Sequence, residues 1–329
     1  MHTRVVGALL ISVLLISVMS FGVQAQGDAA AEYPAKPIRI LIGFTPGGGP
    51  DITARQIGQR LSEIWKQQVV VENRPGAGGT IAAGMVARAA PDGYTLLSVS
   101  AAHAIAAAIY SKLPYDTLTD LSGITQTGSS KYVLVAAPSA GMGSVKELVA
   151  AAKAKPGQLY FSSAGVGSGT HFAAEIFRSM AGIEVVHVPF KGLSEALGEV
   201  MAGRIQFTAI PIANVANQVK AGKVIGLAVG APQRDALLPE VPSADEAGLP
   251  GYKPEAWYGL LTSASVPRPI IAKLNREITR ILAEPELQQR LNAVGIEPRL
   301  TTPEAFDRLV RDEVALLTKI ARASNIKAD

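Results

Sequence analysis

The stretch from Ile38 to Arg55, IRILIGFTPGGGPDITAR, constrains the chain more than any other. Ile38 to Phe44 is an apolar, β-branched run of strand length, and Asp51 begins a segment of helical period. Between them stand Thr45, Pro46, Gly47, Gly48, Gly49 and Pro50. Consecutive glycines carry no Cβ, so the backbone there can take φ > 0 and can touch a ligand directly. The helix that follows offers unsatisfied first-turn N–H groups and the positive end of its dipole. Strand, glycine turn and helix N-terminus together suit an anion. Asp51 is placed to cap the helix and Pro50 to set its entry. The same residues also fit an ordinary βα turn, so this loop does not decide the matter alone.

Upstream, Met1 to Arg4 is a short basic segment and Val5 to Gly22 an uncharged apolar run. Val23-Gln24-Ala25 fits the small-x-small pattern of signal peptidase, so residues 1–25 read as a signal peptide cleaved before Gln26. The apolar run is also just long enough for an uncleaved anchor. With no cysteine in the chain, there is neither a disulfide framework nor a lipid-acceptor cysteine after the signal. Cleavage leaves roughly 300 of the 329 residues, which suits two α/β domains better than one. The formal net charge of +4 is modest, basic and acidic residues are interspersed, and aromatics are few. That pattern argues against nucleic acid as a partner.

From residue 26 onward, strand-like and helix-like runs alternate. Gln68–Arg74, Tyr94–Ser100, Lys131–Ala137, Leu159–Ser162, Glu184–Val188, Ile205–Ile210, Val224–Val229 and Trp257–Thr262 read as strands. Ile52–Trp65, Thr80–Ala90, Ala101–Tyr110, Val145–Lys155, Thr170–Met180, Ser194–Met201 and Ala213–Lys220 read as helices, with three more from Pro269, Glu284 and Pro303. Ser144 is the expected N-cap of the helix from Val145. Such alternation predicts βαβ units, a parallel sheet, and ligands beyond the carboxyl ends of the strands. No internal repeat of fixed period is visible.

A second glycine loop, Ser163-Ala164-Gly165-Val166-Gly167-Ser168-Gly169, also follows a strand and precedes a helix. It is not a dinucleotide fingerprint, because Thr170 stands where the last glycine belongs. It is not a nucleophile elbow either, because Val166 stands two residues before Ser168. Two such loops on separate βα units favour a small anion held across a cleft, with hydroxyls from Ser162, Ser163 and Ser168. His171 and Glu175 share a helix face, but two ligands without HExxH or cysteine do not make a metal site. His171 reads as a first-turn donor to the cleft or to a loop carbonyl, and His103, which follows the third strand, either as a residue that can reach the cleft or as a satisfied loop histidine. His187 reads as structural, and Trp257 and Tyr258 as core or hinge residues.

The chain resembles the extracytoplasmic solute-binding receptors of tripartite tricarboxylate transporters, the Bug family. The matching stretches are PAKPIRILIGFTPGGGPDITAR, VVVENRPGAGGTIAAGMVARAAPDGYTLL, HAIAAAIYSKLPYD, SSAGVGSGTHFAAEIF and HVPFKG. VKAGKVIGLAV, PEVPSADEAGLPGY, WYGLL and VGIEPRLTTPEAF follow in the family's order, so the resemblance covers essentially the whole mature chain. It implies an α/β, two-domain periplasmic-binding-protein fold of Venus-flytrap, type II-like form, with the ligand cleft between the domains. Residues 26–127 with 231–329 would form domain 1, and 128–230 domain 2. It further implies a periplasmic, monomeric, non-enzymatic receptor without cofactor or metal. Such a receptor passes a small organic carboxylate to large and small membrane subunits of a transporter. A subunit that signals to a sensor kinase shares the fold and the site, and an exported serine hydrolase using Ser163 or Ser168 is a reading of another class.

The resemblance also implies where the carboxylate sits. The first loop would be Phe44, Thr45, Pro46, Gly47, Gly48, Gly49 and Asp51, acting mainly through backbone N–H groups. The opposing side would be Ser162, Ser163, Gly165, Gly167, Ser168 and His171, with Phe190, Lys191 and Gly192. Family members often carry aspartates in the segment corresponding to Ile205–Pro211, where this chain has Gln206 and Ile210. Leu193-Ser194-Glu195 likewise replaces the family's usual Gly- or Pro-containing stretch after the Lys-Gly turn. The identity of the ligand is therefore not implied.

Overall fold

A computed structural model describes residues 31–323 and 326–327. The expected signal peptide lies outside the described residues. The first strand, β1 (Ile38–Ile42), shows why the chain folds in layers. Its Ile38, Ile40 and Ile42 face one way, against Ala54, Ile57 and Leu61 of α1 (Gly49–Trp65). Leu41 faces the other way, against Ala82, Ala83 and Val86 of α2 (Thr80–Ala87). A strand apolar on both faces requires a helix on each side. β1 pairs in parallel with β2 (Val69–Asn73) and with β3 (Thr95–Ser100). β3 leads into α3 (Ala102–Ile109).

The largest departure from the sequence reading is β4. It runs unbroken from Leu121 to Ala136, whereas only Lys131–Ala137 was expected to be extended. Its first part, Leu121 to Lys131, pairs antiparallel with β9 (Glu255–Ser263), which in turn pairs with β3. From Tyr132 to Ala136 it pairs instead with β7 (Phe207–Pro211), and from Val133 with β8 (Ile225–Val229). The polar run Thr125–Ser130 has no apolar strand pattern, yet long-range partners satisfy it. Thr125 Oγ1 donates to the Thr301 carbonyl at 2.9 Å, and Ser129 exchanges backbone bonds with Glu297 at 2.8 Å. One strand thus serves two lobes.

The second lobe is built on β5 (Tyr160–Ser163), which pairs in parallel with β6 (Val186–Pro189) and β7. α4 (Val145–Ala154), capped by Ser144 as expected, and α5 (Gly169–Ala181) pack on one face with Phe161 and Phe207. α6 (Leu193–Met201) covers the other face with Val133, Val135 and Ile210. The expected helix Ala213–Lys220 splits into a 3₁₀ turn at Ile212–Asn214 and a short α7 (Ala216–Lys220). The chain then returns to the first lobe. α8 (Arg268–Leu282) packs against α1 and β4, α9 (Pro285–Ala293) against α8, and α10 (Pro303–Ala323) against α3 and β4. Among the described residues, no helix is long and apolar enough to cross a membrane.

Candidate functional site

The two glycine loops adopt the same backbone design on opposite lobes, although the sequence shows no period linking them. After β1, Gly47 takes φ +92°, Gly48 is the N-cap (φ −78°, ψ 164°), and α1 starts at Gly49. After β5, Gly167 takes φ +77°, Ser168 is the N-cap (φ −77°, ψ 157°), and α5 starts at Gly169. Of the three consecutive glycines, therefore, only Gly47 needs a positive φ. The third helical residue reaches back in each case. Asp51 Oδ2 accepts the Gly47 N–H at 3.1 Å, and His171 Nδ1 accepts the Gly167 N–H at 3.4 Å.

Two expectations are corrected here. Asp51 is not the N-cap, because the helix begins at Gly49, three residues before the expected start at Ile52. Its carboxyl loses stability on burial, yet hydrogen bonds from Arg55, the Gly47 N–H and Asn73 outweigh this and hold it below its usual range. His171 is not a donor to the cleft but an acceptor beneath the loop. Its ring stacks on His187 at 3.9 Å, and His187 stacks in turn on Phe161 at 4.9 Å. Burial first, then the charge of a neighbour (Arg178 for His171, His171 for His187), pushes both imidazoles down to about 4, so the pair is neutral at neutral pH.

Each of the helix starts at Gly49 and Gly169 is held against a tyrosine from a strand. A Cβ at Gly49 would lie inside the ring of Tyr258 on β9. A Cβ at Gly169 would overlap the hydroxyl of Tyr132 on β4. Glycine alone fits at these two positions without displacing a tyrosine.

Together these parts enclose a cavity of about 650 Å³, measured with its open mouth. Four helix starts open on it: Gly49 of α1, Ala102 of α3, Gly169 of α5 and Leu193 of α6. Tyr132, Pro211, Asn214, Ala256 and Tyr258 also line it. Among the described residues, no Lys, Arg, His, Asp or Glu lines it. Two contacts tie the lobes across the cleft. Asn214 Nδ2 donates to the Gly47 carbonyl at 2.8 Å, and a Cβ on Gly192 would come within 2.5 Å of Thr45 Oγ1. An anion entering this space meets backbone N–H groups and helix dipoles rather than a cationic side chain.

Of the residues singled out from sequence, Phe44, Thr45, Pro46, Gly48, Gly49, Ser168 and Gly192 line the cavity. Gly47, Asp51, Gly165 and Gly167 shape the loops without lining it, and Phe190 and the exposed Lys191 flank it. Ser162 is buried and donates to the Ala196 carbonyl. Ser163 is fully buried with its Oγ 2.6 Å from His187 Nε2, and Ser168 Oγ accepts the His171 N–H. His103 lies in a separate small cavity with Gly78, Gly79 and Tyr115, divided from the main one by Phe44 and Ser100. Burial pushes its imidazole down to about 4. Gln206 and Ile210 both lie away from the cavity: Gln206 Oε1 accepts the Tyr160 N–H, and Ile210 sits in the core. Sequence reasoning missed Tyr132, Pro211, Asn214, Ala256 and Tyr258, none of which carries a local signal.

A family model described as the tripartite tricarboxylate transporter family receptor matches residues 53–326. Protein BugT of Bordetella pertussis is 31% identical over 97% of this chain and 98% of its own length. The solved structure titled R. palustris Rpa4515 with adipate is 31% identical, with a TM-score of 0.86 over 90% of this chain and 99% of that one. MatC (Rpa3494) from Rhodopseudomonas palustris with bound malate is 30% identical, with a TM-score of 0.82 over 88% of this chain and 99% of that one.

Proposed function

Because the chain belongs to the tripartite tricarboxylate transporter family of receptors, the Bug family, we propose that it is a periplasmic receptor that captures a small organic carboxylate and hands it to the membrane subunits of such a transporter. The observation that carries this reading is the cavity between the lobes, with four helix starts and no ionised side chain among the described residues of its walls. Adipate and malate in the two related structures agree with a carboxylate ligand here. The receptor is monomeric and works by binding alone. Ser163 is fully buried, and Ser168, although it lines the cavity, uses its Oγ to cap α5 by accepting the His171 N–H, which supports binding rather than hydrolysis.

The lobes divide as residues 26–127 with 231–329, and 128–230. The change of partner in β4 at Lys131–Tyr132 supports that division. Ligand that binds the closed arrangement better than the open one shifts the population toward closure. The test is a thermal-shift screen of the mature protein against mono-, di- and tricarboxylates, amino acids and aromatic acids, followed by small-angle scattering with the best hit. A true ligand at about a hundred times its dissociation constant adds roughly 2.7 kcal/mol of stability. A screen in which no carboxylate raises the melting temperature would overturn the reading.

A further inference from the structure

The two ties across the cleft described above both start from the first glycine loop, and the second loop has one of another kind. Its Gly167 lies against α3 of the first lobe. A Cβ there would come within 2.5 Å of Ile109 Cδ1 and 3.7 Å of Ile105 Cγ2. On the first turn of α5, Phe172 is buried in the same apolar cluster as Ala101, Ala104, Ile105 and Ile109 of the first lobe. Ile105, Ile109 and Phe172 are only 1%, 4% and 3% exposed. Gly78 of the first lobe also approaches this loop, since a Cβ on it would lie 3.9 Å from the Val166 carbonyl.

None of Ile105, Ile109, Gly167 and Phe172 lines the ligand cavity, so this seam is closed by contact between the lobes rather than through a bound acid. Glycine is what permits the fit. Gly167 takes φ +77°, and a side chain on it would have to displace Ile109. Lobes that part along the seam expose its three large side chains to water, which is unfavourable in proportion to the apolar area. The Asn214 bond to Gly47 is different, because both groups can exchange it for bonds to water. The apolar contact has no such substitute, and it needs no ligand. It therefore biases the open–closed equilibrium before any acid arrives.

We propose that Ile105 and Ile109 of α3, packed against Gly167 and Phe172 of the second lobe, form a latch that holds the lobes together without ligand, so that entry to the cavity waits on its opening. This rests on the two-lobed receptor reading above and goes beyond it, because it concerns the protein alone. The latch residues act through the position of the lobes and touch no part of the acid.

The experiment measures small-angle scattering and amide hydrogen exchange on the mature protein with no acid added. Ile109→Ala and Phe172→Leu weaken the seam from its two sides. Phe177→Leu is the control for lost stability alone, since Phe177 is buried in the second lobe with its ring edge-on to Phe207. The wild type should scatter as the closed structure does. Both seam variants should shift the radius of gyration upward and speed exchange of the amides at 165–169 at least about tenfold. Phe177→Leu should lower the melting temperature and do neither. If Ile109→Ala does not fold, Ile109→Val with Phe172→Leu carries the same comparison. A wild type that is already open without acid overturns the proposal, as do seam variants that scatter and exchange like the wild type. So does a Phe177→Leu variant that opens as far as they do. Because no acid is present, these results are independent of the carboxylate screen, and either reading can fail without the other.

Discussion

The contact between Gly169 and Tyr132 yields a prediction that can be worked through to its sign. Gly169 does not require a positive φ, so alanine is acceptable to the backbone there. What opposes alanine is the Tyr132 hydroxyl, which an added methyl would overlap, while the ring carbon behind it stays 3.4 Å away. Overpacking of this kind costs about 1–3 kcal/mol. Gly169→Ala alone should therefore lower the melting temperature, by about 2–4 °C per kcal/mol for a chain of this size. Tyr132→Phe alone should be nearly neutral, because the hydroxyl has no partner to lose among the described residues. In the double variant the methyl meets only the ring edge, and the ordinary gain from Gly→Ala, about 0.4–1 kcal/mol, is recovered. The double-mutant cycle should then give a coupling of about 1–3 kcal/mol in favour of the pair. Urea unfolding of the four proteins measures it. If Gly169→Ala is equally destabilising in the Tyr132→Phe background, the hydroxyl is not the obstacle and the proposed geometry of the helix start is wrong.

Asn214→Ala removes the 2.8 Å bond to the Gly47 carbonyl across the cleft. One neutral hydrogen bond is worth about 0.5–1.5 kcal/mol, so ligand affinity should fall about 2- to 13-fold and scattering should show a more open unliganded protein. Lys191→Ala, outside the cavity wall, should change affinity less than about twofold in the same titration. Gly47→Ala meets nothing within 4 Å, so its cost is that of a left-handed alanine alone, about 1–2 kcal/mol. Gly48→Ala, at φ −78° and 3.8 Å from its nearest neighbour, should leave stability within about 0.5 kcal/mol of wild type in urea unfolding. His103, His171 and His187 have imidazoles held near 4 by burial, below their ordinary value of about 6.5. The folded state binds fewer protons than the unfolded one in that interval. Stability should therefore be full above pH 6.5 and fall as the pH drops toward 4; a urea midpoint that stays flat across this window contradicts the assignment.

The two glycine loops were legible because three consecutive glycines and the Gly165-x-Gly167-x-Gly169 run announce themselves locally. The order of strands and helices was legible from apolar period, and Ser144 from its capping pattern. The boundaries of the first helix were not. Gly49 gives no helical signal and Pro50 signals only an entry, so Asp51 looked like a cap when it is the third residue of the helix. Tyr132 and Tyr258 were missed as cavity residues for a different reason. Tyr258 is placed by the pairing of β9 with β4, and Tyr132 by the pairing of β4 with β7 at Pro211; nothing local reports partners that distant. His171 shows the converse case. Its position was legible, but its role was not, since acceptance from Gly167 depends on a ring stack with His187 that only the folded lobe creates.

The placement of β9 bears on the order in which this protein can be assembled as it is made. In the first lobe the strand order is β2-β1-β3-β9-β4, so β9 lies between two strands that precede it by more than a hundred residues. Until Glu255–Ser263 has emerged, β3 and the first half of β4 are two unpaired edges with no bridge between them. The second lobe repeats the arrangement on a shorter scale: β7 lies between β4 and β5, but all its strands are complete by Val229, before β9 begins at Glu255. Contacts of such long sequence separation form slowly, since the loop must be closed before they contribute. The middle of the chain is thus free to fold early, whereas the half of the cleft that begins with the first glycine loop must wait for the last third of the polypeptide.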